Sequence, residues 1–200
     1  MGSKEATGMI GNSRLAIYIV VTMSLSLWIF PDLASAHCDT MDGPVVKAAQ
    51  KAIKERNVNR ILIWVQNQDE RELKYAFRQT LLVRRLSKAA RELADRYLFE
   101  TVVRLHRAGE GEPYTGLKPA GTKMAPIIKL LDNAIDTASA AQLLAKLPVA
   151  SRGDVQERFK QVIALKNFDV NDVEKGREYV KAYVTFIHHV EEMYGDKEGE

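Results

Sequence analysis

Residues 37 to 39 read His-Cys-Asp, and Cys38 is the only cysteine in the chain. An imidazole and a thiolate on adjacent residues are donors suited to copper, zinc or nickel over magnesium or calcium. If His37 begins a processed chain, its α-amine becomes a further donor that can close a chelate ring with its own imidazole. The Cys38 backbone amide can join them on nickel or copper after losing its proton, which would make a planar site from two residues. The ordinary pKa values are about 8 for the amine, 6.5 for the imidazole and 8.5 for the thiol. A metal must therefore displace protons, and binding should weaken as pH falls.

Whether that amine exists depends on the residues before it. Lys4 and Arg14 stand in a polar opening segment, Leu15 to Phe30 is an uncharged apolar run, and Pro31-Asp32 leads into Ala34-Ser35-Ala36. That order predicts a secretory signal peptide over 1–36, cleaved after Ala36. The run is shorter than the roughly 20 residues of a spanning helix, so no stable membrane anchor is expected after cleavage. His37, where a small residue would be needed, argues against lipidation of Cys38. The expected product is a single domain over 37–200, periplasmic or secreted, beginning at His37.

His37-Cys38-Asp39, with Gly43 at the seventh position of the expected mature chain, resembles the N-terminal nickel hook of the nickel-containing superoxide dismutases, which begin His-Cys-Asp-x-x-Cys-Gly. Those enzymes are helical bundles. The resemblance implies nickel held by the amine, the Cys38 amide and thiolates, with the His37 ring as an axial ligand. The second thiolate of the pattern is replaced here by Asp42, a hard oxygen donor, which implies altered nickel chemistry or another metal. The whole expected mature chain also resembles a family of exported bacterial proteins of unknown function that share the His-Cys-Asp start, a resemblance that implies no activity.

The remaining histidines are His106, His188 and His189. His106 precedes a glycine-rich stretch at the end of a helical pattern. His188 follows Val180 and Val184 at helical spacing, which places it closer to the apolar side than His189. Helix ends in an antiparallel bundle can converge, so His106 and His188 join His37 and Cys38 as candidate metal ligands. Asp39, Asp42, Glu100, Glu110 and Glu191 are candidate carboxylates around them. Tyr114 could gate access or donate a hydrogen bond to a bound substrate, or pack down on the bundle.

The elements that must position these residues read as helix nearly throughout. Pro44 opens a helix to about Glu55, since proline costs nothing at an early position. Ile61 to Val65 is a short buried helix, because no second strand candidate exists to pair with it. Asp69 is a candidate cap for a helix running to Leu86, with Leu73, Phe77 and Leu81 recurring at intervals of four. Ser87 starts another that ends at Ala108-Gly109. Residues 108–123 form one long loop, the kind that often carries function. Helices follow over MAPIIKLLDNAI, ASAAQLLAKL and DVQERFKQVIALKN, and the last runs from about Val170 to Tyr194. The fold class is all-α, an antiparallel helical bundle. Trp64, Tyr75, Phe77, Tyr97, Phe99, Tyr179, Tyr183 and Phe186 are read as core.

The formal charge is +3, with both signs interspersed, so no stripe suits nucleic acid. A single cysteine cannot make an internal disulfide, which leaves metal binding, burial, reactivity or pairing with another chain. The leading reading is an exported metalloprotein using nickel or copper on superoxide or a related small oxygen species, with the long loop controlling access. Its partners are then a metal ion and a small-molecule substrate, and self-association into a homo-oligomer stays open. The alternative is a periplasmic metal carrier or sensor without turnover. A third reading is a structural helical protein in which Cys38 is free or forms an intermolecular disulfide.

Overall fold

The computed structural model describes residues 37–195, and the expected signal peptide lies outside them. The described chain is all-α, with eight α-helices and no strand. They are α1 Pro44–Glu55, α2 Asn59–Leu62, α3 Glu70–Val83, α4 Lys88–Glu110, α5 Pro126–Thr137, α6 Ala141–Lys146, α7 Arg152–Leu165 and α8 Val173–Gly195. None of them is long and apolar enough to cross a membrane. The pairs α3/α4 and α7/α8 pack as hairpins, α1 lies on α4, and α5 lies against α8 and α7.

Local chemistry sets most of the boundaries. Pro44 stands in the first turn of α1, and Arg56 closes that helix in the left-handed region with φ 54. Val45, Val46, Ala49, Ala52 and Ile53 form its buried stripe, a helical spacing that gives one apolar face. Ser87 caps α4 by accepting from the Ala90 N–H at 3.0 Å, and Gly111 ends it at φ 77, which a side chain adopts only at a cost.

Four expectations change. Asp69 makes no side-chain cap, because a 3-10 turn over Asn67–Asp69 already places its backbone in the helical region. The helix that follows stops at Val83 rather than Leu86. Ile61 to Val65 are all buried as expected, but only the first two lie in α2, and the rest form a turn. Among the aromatics, Tyr75 and Tyr97 are exposed at 54% and 48%. The inward stripe of α3 is Leu73, Ala76, Phe77 and Thr80, and that of α4 includes Ala94, Leu98, Thr101 and Val102, so both tyrosines fall off it.

The turn after α2 links α4 to α8. Trp64 meets His106 of α4 and Tyr183 of α8 edge-on, at centroid distances of 5.4 and 5.9 Å. Arg177 of α8 donates to the Val65 carbonyl at 3.0 Å and pairs with Glu70 at 2.6 Å. A Cβ on Gly176 would lie 2.3 Å from the Ile63 side chain, so α8 approaches this turn as closely as a glycine allows.

Candidate metal centre

The segment ahead of α1 is neither helix nor surface coil. His37, Cys38 and Asp39 are buried, and buried backbone needs hydrogen-bond partners. The long loop supplies them: the Lys118 N–H donates to the Asp39 carbonyl at 2.9 Å, and the Met41 N–H donates to the Lys118 carbonyl at 3.0 Å. The Gly121 N–H donates to Asp42 Oδ2 at 2.9 Å. A turn closes the segment, with the Gly43 N–H donating to the Thr40 carbonyl at 2.9 Å. Gly43 has an ordinary extended backbone, yet a Cβ there would lie 2.3 Å from the His37 carbonyl oxygen. Space, not conformation, demands this glycine.

His37 is held from across the bundle. Its Nε2 lies 3.0 Å from Oδ2 of Asp132 on α5, while its buried Nδ1 has no hydrogen-bond partner. The Cys38 thiol is held well above its usual pKa, first by burial and then by the carboxyls of Glu110 and Asp39, with Arg107 opposing. It is therefore a thiol rather than a thiolate in the metal-free protein. A cavity of about 10 Å³ lies between His37, Cys38, Arg107, Tyr183, His188 and Glu191, space for a single water-sized body.

Arg107 organises the charges. It is 3% exposed, and its guanidinium reaches Glu110 at 3.1 Å, Glu112 at 3.6 Å and Asp39 at 3.7 Å. The Asp39 contact is too long for a hydrogen bond, and both Arg107 Nε and Asp39 Oδ1 lack one. Burial raises the pKa of Asp39 and of Glu110, with Arg107 pulling both down. Three carboxyls thus face one buried cation.

His106 is fixed differently. Its Nδ1 lies 2.9 Å from the Trp64 carbonyl, a group that only accepts, so Nδ1 carries the proton and donates. Burial lowers its pKa to about 4, which leaves the ring neutral and Nε2 a bare lone pair. That nitrogen has no hydrogen-bond partner and lies 3.4 Å from Glu110 Oε1. Both residues line a cleft of about 410 Å³ bounded by the turn after α2, the end of α4 and α8.

Residues 42–189 match the model of a family described as a family of unknown function, DUF6448. The chain belongs to that family. No curated protein and no solved structure matches it. The matched span takes in His106, Arg107, Glu110 and His188, and it begins just after His37, Cys38 and Asp39.

In this DUF6448 chain the expected ligands fall into two groups with Arg107 between them. His37, Cys38 and His188 line the small cavity, whereas His106 faces the larger cleft with Glu110. Among the described residues, no three His, Cys, Asp or Glu side chains are grouped as a metal site. His188 is exposed and His189 half-buried, the reverse of the expected order. Val180, Val184 and His188 do form one row along the cleft and the cavity, in which Val180 is buried with the core residues Tyr183, Phe186, Ile187 and Val190 while His188 is exposed. His189 instead meets Asp154 at 2.5 Å.

Of the candidate carboxylates, Asp39 and Glu110 are at the site and Glu191 lines the small cavity. Asp42 is exposed, and its bond from Gly121 holds its pKa below the usual value. Glu100 pairs with Arg96 at 2.8 Å on the outside of α4. Tyr114 is half-buried and packs against the core, where burial pushes its hydroxyl pKa up. Two residues of the site escaped the sequence reading. Arg107 carried a signal, a basic residue beside His106 and three before Glu110. Asp132 carried none, since only the fold brings α5 to His37.

Proposed function

We infer that the protein is an exported metal-binding protein whose His37 and Cys38, once the leader is removed after Ala36, hold nickel or copper. The observation that carries this reading is the pair of held and bare nitrogens on His37. An imidazole ligand to a metal typically gives its other nitrogen to a carboxylate that orients the ring, and His37 Nε2 has Asp132 in that role while the buried Nδ1 is unpartnered. Nδ1 is also the ring nitrogen that can chelate together with the α-amine of the same residue.

The donor set fits such an ion. The hook draws on an amine and a backbone amide besides two side chains, so it does not need three converging side chains. Burial holds the thiol pKa up and raises those of the Asp39 and Glu110 carboxyls, so a bound cation would favour their ionised forms, as Arg107 already does in part. Bound nickel or copper would supply one-electron redox chemistry. This chain's own part is to orient the His37 ring through Asp132, bury Cys38 and close the segment with the loop at Lys118 and Gly121. Carriage or sensing is the better-supported form of the function than superoxide turnover, because Asp42, at the position of the second thiolate, is exposed and engaged by Gly121.

The test is intact mass and elemental analysis of protein recovered as the cell makes it, without an N-terminal tag or chelator. A chain beginning at His37 with stoichiometric nickel or copper, lost in His37→Ala and Cys38→Ser, is the expected result. A chain that keeps its leader, or a metal-free mature chain with Cys38 paired to another thiol, would remove the reading. Superoxide kinetics on the loaded protein then separate the two forms: catalytic loss beyond that of free metal would restore the enzyme.

A further inference from the structure

His106 and Glu110 stand one helical turn apart on α4, so their side chains meet on the same face. The Glu110 carboxyl is divided in its duties: Oε2 accepts from Arg107 at 3.1 Å, while Oε1 is buried without a hydrogen-bond partner. Across from it is the lone pair of His106 Nε2, on a ring 3% exposed whose other nitrogen is tied to the Trp64 carbonyl. Two acceptors thus face each other at 3.4 Å with no hydrogen bond between them. What they lack in common is a cation between them, either a proton on the Glu110 carboxyl, whose pKa burial raises, or a metal ion. Two donors each about 2.1 Å from one tetrahedral ion stand about 3.4 Å apart, which is the separation already present.

We propose that His106 Nε2 and Glu110 Oε1 form the protein half of a tetrahedral position for a zinc-class divalent metal, opening onto the cleft between α4, α8 and the turn after α2. It stands apart from the His37–Cys38 hook and does not rest on it. The Trp64 carbonyl plays the orienting part that metal-ligating imidazoles require. Both residues line a cleft of about 410 Å³, wide enough to bring water or a small exogenous ligand to the remaining positions. Trp64 lines the same cleft, and its buried Nε1 donor also lacks a partner. A site with two protein ligands binds loosely and exchanges readily, which suits loading or release.

Cobalt(II) is the probe, titrated into metal-free protein prepared as the cell makes it. In a Cys38→Ser background the expected result is a visible tetrahedral cobalt spectrum without a sulfur charge-transfer band. Adding Glu110→Gln should weaken that binding roughly tenfold or more. Unchanged affinity in the doubly substituted protein, or no tetrahedral cobalt in Cys38→Ser, would overturn the site. A second readout needs no substitution: nitrogen-15 NMR of the unsubstituted protein with zinc should move the His106 Nε2 resonance while Nδ1 stays protonated. A His106 ring unchanged at saturating zinc also overturns it. The two metal readings fail separately. Loss of the Glu110 effect with a sulfur band intact sinks this site and spares the hook, and identical cobalt spectra with and without the Cys38 thiol do the opposite.

Discussion

The two ends of α4 invert the usual rule of burial in opposite ways. At the C-terminal end, His106 and Arg107 are buried and face Asp39 and Glu110. At the other end, roughly 30 Å away along the helix axis, Leu86 and Leu93 are exposed at 77% and 71%, beside an ordinary ion pair of Arg84 with Asp95 at 2.8 Å. Scattered exposed leucines are common on soluble proteins and ask for no explanation, whereas buried charge does. The polar end is the one whose arrangement must be held by something, and it is held by the loop over 111–125, by Asp132 and by the Trp64 turn.

The comparison breaks first on arginine. Removing Arg107 by Arg107→Met leaves Asp39, Glu110 and Glu112 without their shared cation, and an expected loss of about 3–5 kcal/mol follows in urea unfolding near neutral pH. Arg84→Ala, which takes away a pair with Asp95 bonded at 2.8 and 3.2 Å, is expected to cost about 1 kcal/mol or less. Equal losses would show that the two ends are not different in kind. The pH dependence carries its own sign. The folded-state pKa values of Asp39 and Glu110 are raised, so their favourable contribution is complete below their ordinary carboxylate values and is lost as pH rises through the raised ones. Without Arg107 to pull them down these values rise further, so the deficit of the variant should be smaller in acid and grow towards neutrality.

Two glycines sharpen the contrast between space and conformation. Gly43→Ala drives a Cβ to 2.3 Å from the His37 carbonyl, and the expected loss is about 1–3 kcal/mol, with displacement of the His37 ring visible in its NMR shifts. Gly111→Ala meets no atom within 4 Å, but its φ of 77 lies in the left-handed region, and about 1 kcal/mol is expected. Thermal unfolding reads both. A neutral Gly43→Ala would mean that the segment before α1 gives way easily and that His37 is not tightly placed.

The helices were legible because their signals are local. Ser87 and Gly111 bracket α4, Pro44 opens α1, and the apolar spacing of α1 is visible in five residues. The site was legible only in part, because it is assembled from distant pieces. Cys38 and His37 stand out by chemistry alone, and Glu110 by its neighbour His106. Asp132 lies 95 residues from His37 along the chain, and nothing within α5 distinguishes it from a solvated carboxylate. The same limit misplaced Tyr75 and Tyr97: aromatic type suggests core, but which face of a helix is covered depends on what packs there. The Val180, Val184, His188 row shows a third case, in which periodicity found a real face and the face bordered a cleft.

At the apolar end the expected effects are small. Leu93→Ser, at a side chain 71% exposed, should leave unfolding free energy within about 0.5 kcal/mol. A larger loss that depends on protein concentration would mean that a second copy covers these leucines, and the contrast between the ends would then hold for the isolated chain alone.

The smallest expected effect is local, and it tests how the loop is kept over Cys38. Asp42 accepts from the Gly121 N–H at 2.9 Å, and this bond is the first cause of its lowered pKa. A carboxylate stabilised in its ionised form contributes above its unfolded value, near 3.8, and loses that contribution as pH falls through the lowered one. The Gly121 amide should therefore be protected from hydrogen exchange at neutral pH and lose protection in acid, with little change in global stability because Asp42 is exposed. Asp42→Asn keeps an acceptor oxygen but no charge, so protection should persist in weakened form without the acid transition, and Asp42→Ala should abolish it throughout. If Gly121 is equally protected in Asp42→Ala, the loop is held by the Lys118 backbone bonds to Asp39 and Met41 alone, and Asp42 is no part of what closes the segment over the thiol.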